Sequence, residues 1–437
     1  METITGISED TQATLLLCGS LGGHSTVRPL TAPQYRDFVA ALIKLGKRPS
    51  DLLSDEGLAD EICAAQEVNK RVREPATPER VRELMHRGVS LSVSVDKWNA
   101  RGVKVVGKTD AAYPRRLRDH LGGQAPSIVY YAGDETLFAG GGMAFVGARD
   151  IAEEARDAVC RVVRGCVDLG MTVVSGGARG ADRASMVEAL ECGGRVIGVL
   201  HSDLLKTCVE PECRDALSSG RVLLFSVVAP EAKFSGAAAM DRNKYIYGMA
   251  DACFVAQSDI GSHSGTWSGA TEELKRKNHH PVFVYMASTP SKGCVDLLKF
   301  GAKAWNMEKD VAANLESGRT AASQKVDYDG DLFSGYSAAE PKAEYRPEVR
   351  AETGANTEEM AKDPYGLFVE ALKDFLQTKR KEADAKKRLQ AKLDLVSAQV
   401  KHWLERAKGE GICVAREYPV GGKGKVCVML ELSSQSE

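Results

Sequence analysis

One alternation constrains the fold more than anything else in the chain. Between Val103 and Trp305, six short β-rich runs are separated by amphipathic stretches long enough for a helix: MAFVG at Met143, MTVVS at Met171, RVIGVL at Arg195, RVLLF at Arg221, ACFVA at Ala252 and PVFVYM at Pro281. Continuous apolar runs of this length suit strands buried on both faces, and helices between them serve as right-handed crossovers. The pattern predicts an α/β domain over residues 103–306 with a mostly parallel sheet. Ligands of such sheets sit beyond the carboxyl ends of the strands, in loops where glycine is useful. The 42 glycines among 437 residues exceed ordinary usage of roughly 7%.

The flanks differ in composition. Residues 1–102 read as a helical region: Tyr35, Phe38, Val39, Leu42, Ile43 and Leu45 recur at helical spacing, with Pro33 near a start and Gly46 at a stop. Residues 307–364 are polar and lack a period that buries a face, which predicts a linker. In residues 365–437 three helical patterns precede two short strands around a Gly-Lys-rich turn, similar to a winged helix, with Phe368, Leu372, Leu376, Leu389, Leu395, Val400 and Leu404 as its core.

Composition excludes several classes. With 43% hydrophobic and 27% charged residues the chain resembles neither a disordered nor a membrane protein, and no apolar run reaches the roughly 18 residues of a spanning helix. The amino terminus lacks the pattern of an export signal, so a cytoplasmic location is expected. Eleven cysteines without a CxxC pair suit free thiols in a reducing compartment. Cys208 and Cys213 with His201 upstream are a weak approach to metal spacing, and neither a metal nor a cofactor is expected. A net charge of −2 means that any nucleic acid must be held by a local patch.

Three glycine-bearing turns follow strands and should line one edge of the sheet. The first is Val146-Gly147-Ala148-Arg149, where glycine admits a close backbone and Arg149 offers a planar fork to phosphate oxygens. The second, Ser175-Gly176-Gly177-Ala178-Arg179-Gly180-Ala181-Asp182, leads into a helix start suited to an anion. Asp182 reads as a cap or a partner of Arg179 that holds the loop in shape. The third combines Asp241-Arg242-Asn243-Lys244-Tyr245 with Ser264-Gly265-Thr266-Trp267-Ser268-Gly269. Arg242 and Lys244 are candidates for further phosphates, and Tyr245 and Trp267 are either stacking platforms or packing residues.

In order, these pieces resemble the DprA (Smf) family of DNA-processing proteins. Tyr113-Pro114-Arg115-Arg116-Leu117 is similar to its YPxxL segment, Val146 to Arg149 to VGxR, and Ser175 to Asp182 to SGxARGxD. Arg242-Asn243 is similar to the RN pair, Ser264-Gly265-Thr266 to the SGT-type turn and Gly301-Ala302 to the closing GA. The resemblance spans Tyr113 to Ala302. It implies an extended Rossmann-like fold that binds single-stranded DNA without catalysis, forms a homodimer, and delivers strands to a RecA-type recombinase in natural transformation. By matching position, Arg149, Ser175, Gly176, Arg179, Gly180 and Arg242 would line the strand site. The family pattern has a histidine where this chain has Met186, GLDxxYP where it has Gly198 to Leu204, and FPxRN where it has Ala239-Met240-Asp241-Arg242-Asn243. These departures mark a divergent branch, for which a role in recombination or in defence against phage or mobile elements is also open.

The expected site thus comprises Gly147, Arg149, Ser175, Gly176, Gly177, Arg179, Gly180, Arg242, Asn243, Lys244, Ser264, Gly265 and Thr266, with affinity coming mainly from phosphates. Seven basic and two acidic residues between Lys379 and Lys392, with Lys423 and Lys425 at the hairpin tip, suggest a second contact. A recognition helix over 397–408 would present Lys401, His402 and Arg406 to duplex DNA, although such modules also bind proteins.

The competing reading is a nucleotide sensor, or an enzyme like the cytokinin-type phosphoribohydrolases, whose motif reads GGxGTxxE. Here Gly269 stands where the glutamate should, and the next acids are Glu272 and Glu273. A carboxylate that far along a helix lies about 10 Å from the turn. His263 has no nucleophile or carboxylate evident beside it, and there is no GxxxxGK[ST] loop, so a non-enzymatic protein is expected.

Overall fold

The computed structural model describes residues 6–21, 27–66, 75–261 and 264–318, and three short strands at 380–381, 413–419 and 426–432. The chain falls into two compact units, Met1–Glu340 and Pro341–Glu437.

The first unit is built on nine strands: β1 (Lys104–Gly107), β2 (Ile128–Gly133), β3 (Gly142–Val146), β4 (Thr172–Ser175), β5 (Val196–Leu200), β6 (Val222–Ser226), β7 (Ala252–Val255), β8 (Val282–Val284) and β9 (Lys303–Ala304). Their order in the sheet is β1-β2-β6-β5-β4-β3-β7-β8-β9. From β6 to β9 every neighbouring pair is parallel, while β1 and β2 form an antiparallel edge against β6. The six runs singled out in the sequence are β3 to β8, and the edge strands β1, β2 and β9 were not among them. Alternate residues along each strand enter two separate cores: Met143, Phe145, Val173, Leu224 and Phe254 face one way, and Ala144, Val146, Val174, Phe225 and Val255 the other. Burial on both faces is what a central parallel strand requires.

The helices cover both faces. The amino-terminal set is α1 (Glu9–Cys18), α2 (Ala32–Lys44), α3 (Leu58–Ala65), α4 (Pro78–Met85) and α5 (Gly88–Asn99). These pack into the same core as α7 (Glu153–Asp168) and α8 (Ala181–Glu191). The opposite face carries α6 (Arg115–Leu121), α12 (Asn243–Gly248), α13 (Gly265–Leu274) and α14 (Lys292–Lys299). Short helices α9 (Leu204–Thr207), α10 (Pro211–Ser218) and α11 (Gly236–Asp241) fill the connections around β6.

Two features depart from expectation. The helical layer shares its core with the sheet: a Cβ on Gly107 of β1 would lie 2.2 Å from Thr11 Oγ1 of α1, and Asp110 accepts hydrogen bonds from Ser8, Thr11 and the Gly107 amide. The stretch read as linker from 307 begins with α15 (Val311–Gly318), whose Val311 is buried against Gly165 of α7 and whose Asn314 side chain is bonded to the backbone of Asn306, Lys309 and Asp310. The remainder of that stretch lies outside the described residues.

In the second unit β10 (Arg380–Lys381), β11 (Cys413–Pro419) and β12 (Val426–Leu432) form an antiparallel sheet in the order β10-β12-β11. Cys413 pairs with Leu432 and Pro419 with Val426, matching the two expected strands. Arg380 and Lys381, read as part of a basic helical run, pair instead with Leu430 and Met429. The winged-helix core and Lys401, His402, Arg406, Lys423 and Lys425 lie outside the described residues.

Candidate nucleic-acid interface

Strand order reverses at β3. The chain builds from β3 through β4 and β5 to β6 on one side, then returns to place β7, β8 and β9 on the other. At such a switch point the loops leaving two adjacent parallel strands diverge and leave a crevice. Here they are the turn after Val146 and the loop after Val255, tied at the base by Ala148 N–H donating to the Gln257 carbonyl at 2.9 Å. The crevice opens into a cleft of about 560 Å³. Its walls include Gly147, Ala148 and Arg149 after β3, Ala178 and Asp182 at α8, Arg242 and Asn243 at the α11–α12 junction, and Ser264, Gly265 and Thr266 at the start of α13.

The arginines expected to meet phosphate are not equivalent. Arg242 is buried, with its guanidinium 3.5 Å from Asp182 Oδ2 and donating to the Val199 carbonyl at 3.2 Å. Asp182 is buried in turn and accepts the backbone N–H groups of Gly176 and Ala178. Burial pushes its carboxyl up to about 6, against the opposing pull of Arg242 and those amides. Burial likewise lowers the Arg242 pKa, which Asp182 partly restores. Arg242 is therefore an internal counter-charge. Arg149 is exposed, lines the cleft and forms no ion pair with a described residue. Arg179 is exposed but lies outside the cleft walls, and pairs with Asp150 at 3.3 Å.

Several groups of the second loop, read as a phosphate cradle, have partners within the protein. Two of its amides, those of Gly176 and Ala178, already serve the Asp182 carboxylate. Ser175 is fully buried and donates its hydroxyl to the Phe145 carbonyl at 2.7 Å. Gly176 makes room for the guanidinium, since a Cβ there would fall 1.0 Å from Arg242 Nη1. Gly180 has φ +89 and would place a Cβ 2.2 Å from the Ala148 carbonyl oxygen. Gly177 has φ +69 and shapes the same turn outside the cleft walls. Asp182 does hold the loop, as expected, but its cation is Arg242 rather than Arg179.

The third feature divides similarly. Asn243 is buried and donates Nδ2–H to the Gly265 carbonyl at 2.8 Å, pinning α12 to α13. Lys244 pairs with Asp241 and lies outside the cleft walls. Tyr245 is buried and donates to Asp241, and Trp267 donates to Asp296 Oδ2 at 3.0 Å, so both aromatics are packing residues. Ser264 caps α13 by accepting the Trp267 amide at 3.3 Å, which leaves Gly265 and Thr266 facing the cleft from a helix N-terminus. His263 lies outside the described residues. Of the next carboxylates, Glu272 pairs with Arg276, and Glu273 is buried and accepts from His120 and the His280 amide.

The cleft also contains residues that motif reading did not find. Phe234, Met240 and Ile260 line it and are large apolar side chains left 59%, 46% and 52% exposed. The His201 ring meets Phe234 edge-on at 5.3 Å, and burial, with Arg242 and Arg149 nearby, lowers its pKa. The signal for Phe234 was present: an aromatic in APEAKFSG, a loop with no period to bury it. Asp259 adds a carboxylate to the wall. Among the described residues no group of three or more His, Cys, Asp or Glu side chains is placed to hold a metal, and the nine cysteines from Cys18 to Cys294 are free. No described helix is long and apolar enough to cross a membrane.

Residues 104–316 match the family described as DNA recombination-mediator protein A. The DNA processing protein DprA of Streptococcus pneumoniae is 28% identical over 214 residues, 47% of this chain and 72% of that protein. Its solved structure aligns with a TM-score of 0.54 at 21% identity, covering 71% of this chain and 99% of the other. A solved DNA processing protein A from Helicobacter pylori, described for its single-stranded DNA binding mode, aligns at 0.40 and 21% identity over 50% of this chain and 97% of its own. With the motifs gathered around one switch-point cleft and the sheet they punctuate in place, residues 104–316 of this chain are similar to the DprA family of DNA recombination-mediator proteins.

Proposed function

We propose that the cleft grips single-stranded DNA, with a phosphate at Arg149 and the open turn of α13, and with unstacked bases against Phe234, Met240 and Ile260. The observation that carries this reading is the combination of an exposed guanidinium, that of Arg149, which forms no ion pair with a described residue, with an exposed apolar rim in a single crevice. A phosphodiester strand offers both an anion and flat apolar faces, and base stacking on aromatic side chains tolerates any sequence. Arg242 is balanced by Asp182, so the cleft itself supplies fewer phosphate contacts than the motif count suggested. The salt dependence it contributes is correspondingly shallow, about 0.7 in slope for each single-strand phosphate neutralised.

The protein acts by binding rather than catalysis in this reading. Glu272 and Glu273, the carboxylates closest in sequence to the position of a phosphoribohydrolase base, make other contacts, one on the surface and one in the core. Delivery of the bound strand to a RecA-type recombinase, assembly as a homodimer and a cytoplasmic setting are further parts of the proposal, resting on the family resemblance, and a second contact by residues 365–437 with duplex DNA or protein rests on their basic residues.

Titration of the full chain with oligo-dT, oligo-dA and dTMP across a salt series tests it. Comparable affinity for both oligomers, weaker binding of dTMP and no released base are expected. Equal occupancy by dTMP and oligo-dT would favour a nucleotide sensor, and release of a free base would favour an enzyme.

A further inference from the structure

The loop that presents Phe234 to the cleft is anchored at its other end to the amino-terminal helical layer. It runs from Ser226, the last residue of β6, to Gly236, the first of α11. Ala232 N–H donates to the Ala229 carbonyl at 2.8 Å, closing a turn within the loop. The loop then accepts two backbone bonds from the segment after β5, from Asp203 N–H to Ala232 O at 2.8 Å and from Leu205 N–H to Pro230 O at 3.0 Å. His201, which meets the Phe234 ring, begins that same segment.

Glu231 sits at the tip of this turn, and its side chain reaches α5. Both carboxylate oxygens accept the Trp98 Nε1–H at 3.1 Å, and Lys97 Nζ lies 3.0 Å from Oε1. Trp98 is 1% exposed and its ring is fixed edge-on against Tyr130 of β2 at 5.1 Å. A carboxylate held by an immobile indole donor and an adjacent ammonium has a defined position, whereas Phe234, three residues on, is more than half exposed and meets the edge of the His201 ring.

We infer that Glu231 is a positioning residue: its bonds to Trp98 and Lys97 of the helical layer set the loop geometry that presents Phe234 to the cleft. The inference rests on the proposed reading of the cleft for its effect on affinity, while the latch itself is open to test in ligand-free protein. A contact that only added stability would weaken binding independently of Phe234. A latch acting through Phe234 has no effect once that ring is gone.

The experiment uses the full chain as wild type, Glu231→Ala, Phe234→Ala and the double variant. Oligo-dT affinity should fall about 3- to 10-fold in Glu231→Ala, a change worth roughly 0.7–1.4 kcal/mol, yet by less than about 1.5-fold when the same change is made on Phe234→Ala. Glu231→Gln, which keeps an acceptor for Trp98, should recover part of the loss. Equal losses in both backgrounds would overturn the inference. In parallel, hydrogen exchange without DNA should quicken at the amides of Ala232, Asp203 and Leu205 in Glu231→Ala, with α7 and α8 unchanged. Unchanged exchange at those three amides would overturn it as well. If wild type binds no oligonucleotide, the strand-binding reading fails and the exchange result alone decides whether the latch exists.

Discussion

The floor and the rim of the cleft use the same kinds of residue for opposite purposes. On the floor, Arg242 and Asp182 neutralise each other, and glycine at position 176 exists so that the guanidinium fits. On the rim, Arg149 has no described ion-pair partner, and Phe234, Met240 and Ile260 remain open. The conspicuous SGxARGxD and RN motifs build the crevice, while the proposed contacts fall to Arg149 of the first turn and to apolar residues outside every motif. Burial explains the division. An arginine with 8% exposure must have its charge matched inside the protein, and so has less to offer a ligand than one in solvent.

Substitutions can break this contrast. The largest effect is expected for Arg242→Ala, which strands the Asp182 carboxylate and should cost about 3–5 kcal/mol of stability in denaturant unfolding. A loss under about 1 kcal/mol would mean the floor is not the closed pair described. Next is a pH effect remote from the cleft. Burial, with His120 stacked beside it at 4.4 Å, pushes His280 down to about 4, from an unfolded value of about 6.5. Between those values the unfolded chain binds the proton and the folded one does not, so stability falls with falling pH, by up to about 3 kcal/mol. The difference between wild type and His280→Phe isolates this window, and parallel stability curves would contradict it.

On the rim, Arg149→Ala should weaken oligo-dT and oligo-dA alike by about 1.5–3 kcal/mol, lower the salt slope by about 0.7, and leave stability within about 0.5 kcal/mol. A loss confined to one sequence would argue against a backbone contact. The smallest effect is expected for Lys244→Ala, whose ammonium already faces Asp241. Its affinity change should stay below about twofold, and a larger one would move the strand path toward α12.

Much of the architecture was legible because burial on both faces leaves a continuous apolar run, and β3 to β8 are such runs. The edge strands were harder to read. β9 is two residues long, and β1 begins with an exposed lysine. Helix α1 escaped for a different reason: Asp10, Thr11, Gln12 and Thr14 are buried alongside Ala13, Leu15, Leu16 and Leu17, so no polar face marks it as amphipathic. In the site, the order of the glycine turns correctly brought Gly147, Arg149, Arg242, Asn243, Ser264, Gly265 and Thr266 to one crevice. Spacing carries no information on which charges are matched internally. Ser175, Arg179 and Lys244 therefore looked like ligands although each has a partner within the protein, and Phe234 stood outside every motif.

The central claim, that a strand lies in this cleft with a base on its apolar rim, is tested most directly by photocrosslinking full-length protein to an oligo-dT carrying 5-iodouracil and mapping the adduct by mass spectrometry. An adduct at Phe234 is expected, lost in Phe234→Ala and reduced in Arg149→Ala. Adducts confined to residues 365–437, or unaffected by either substitution, would contradict it.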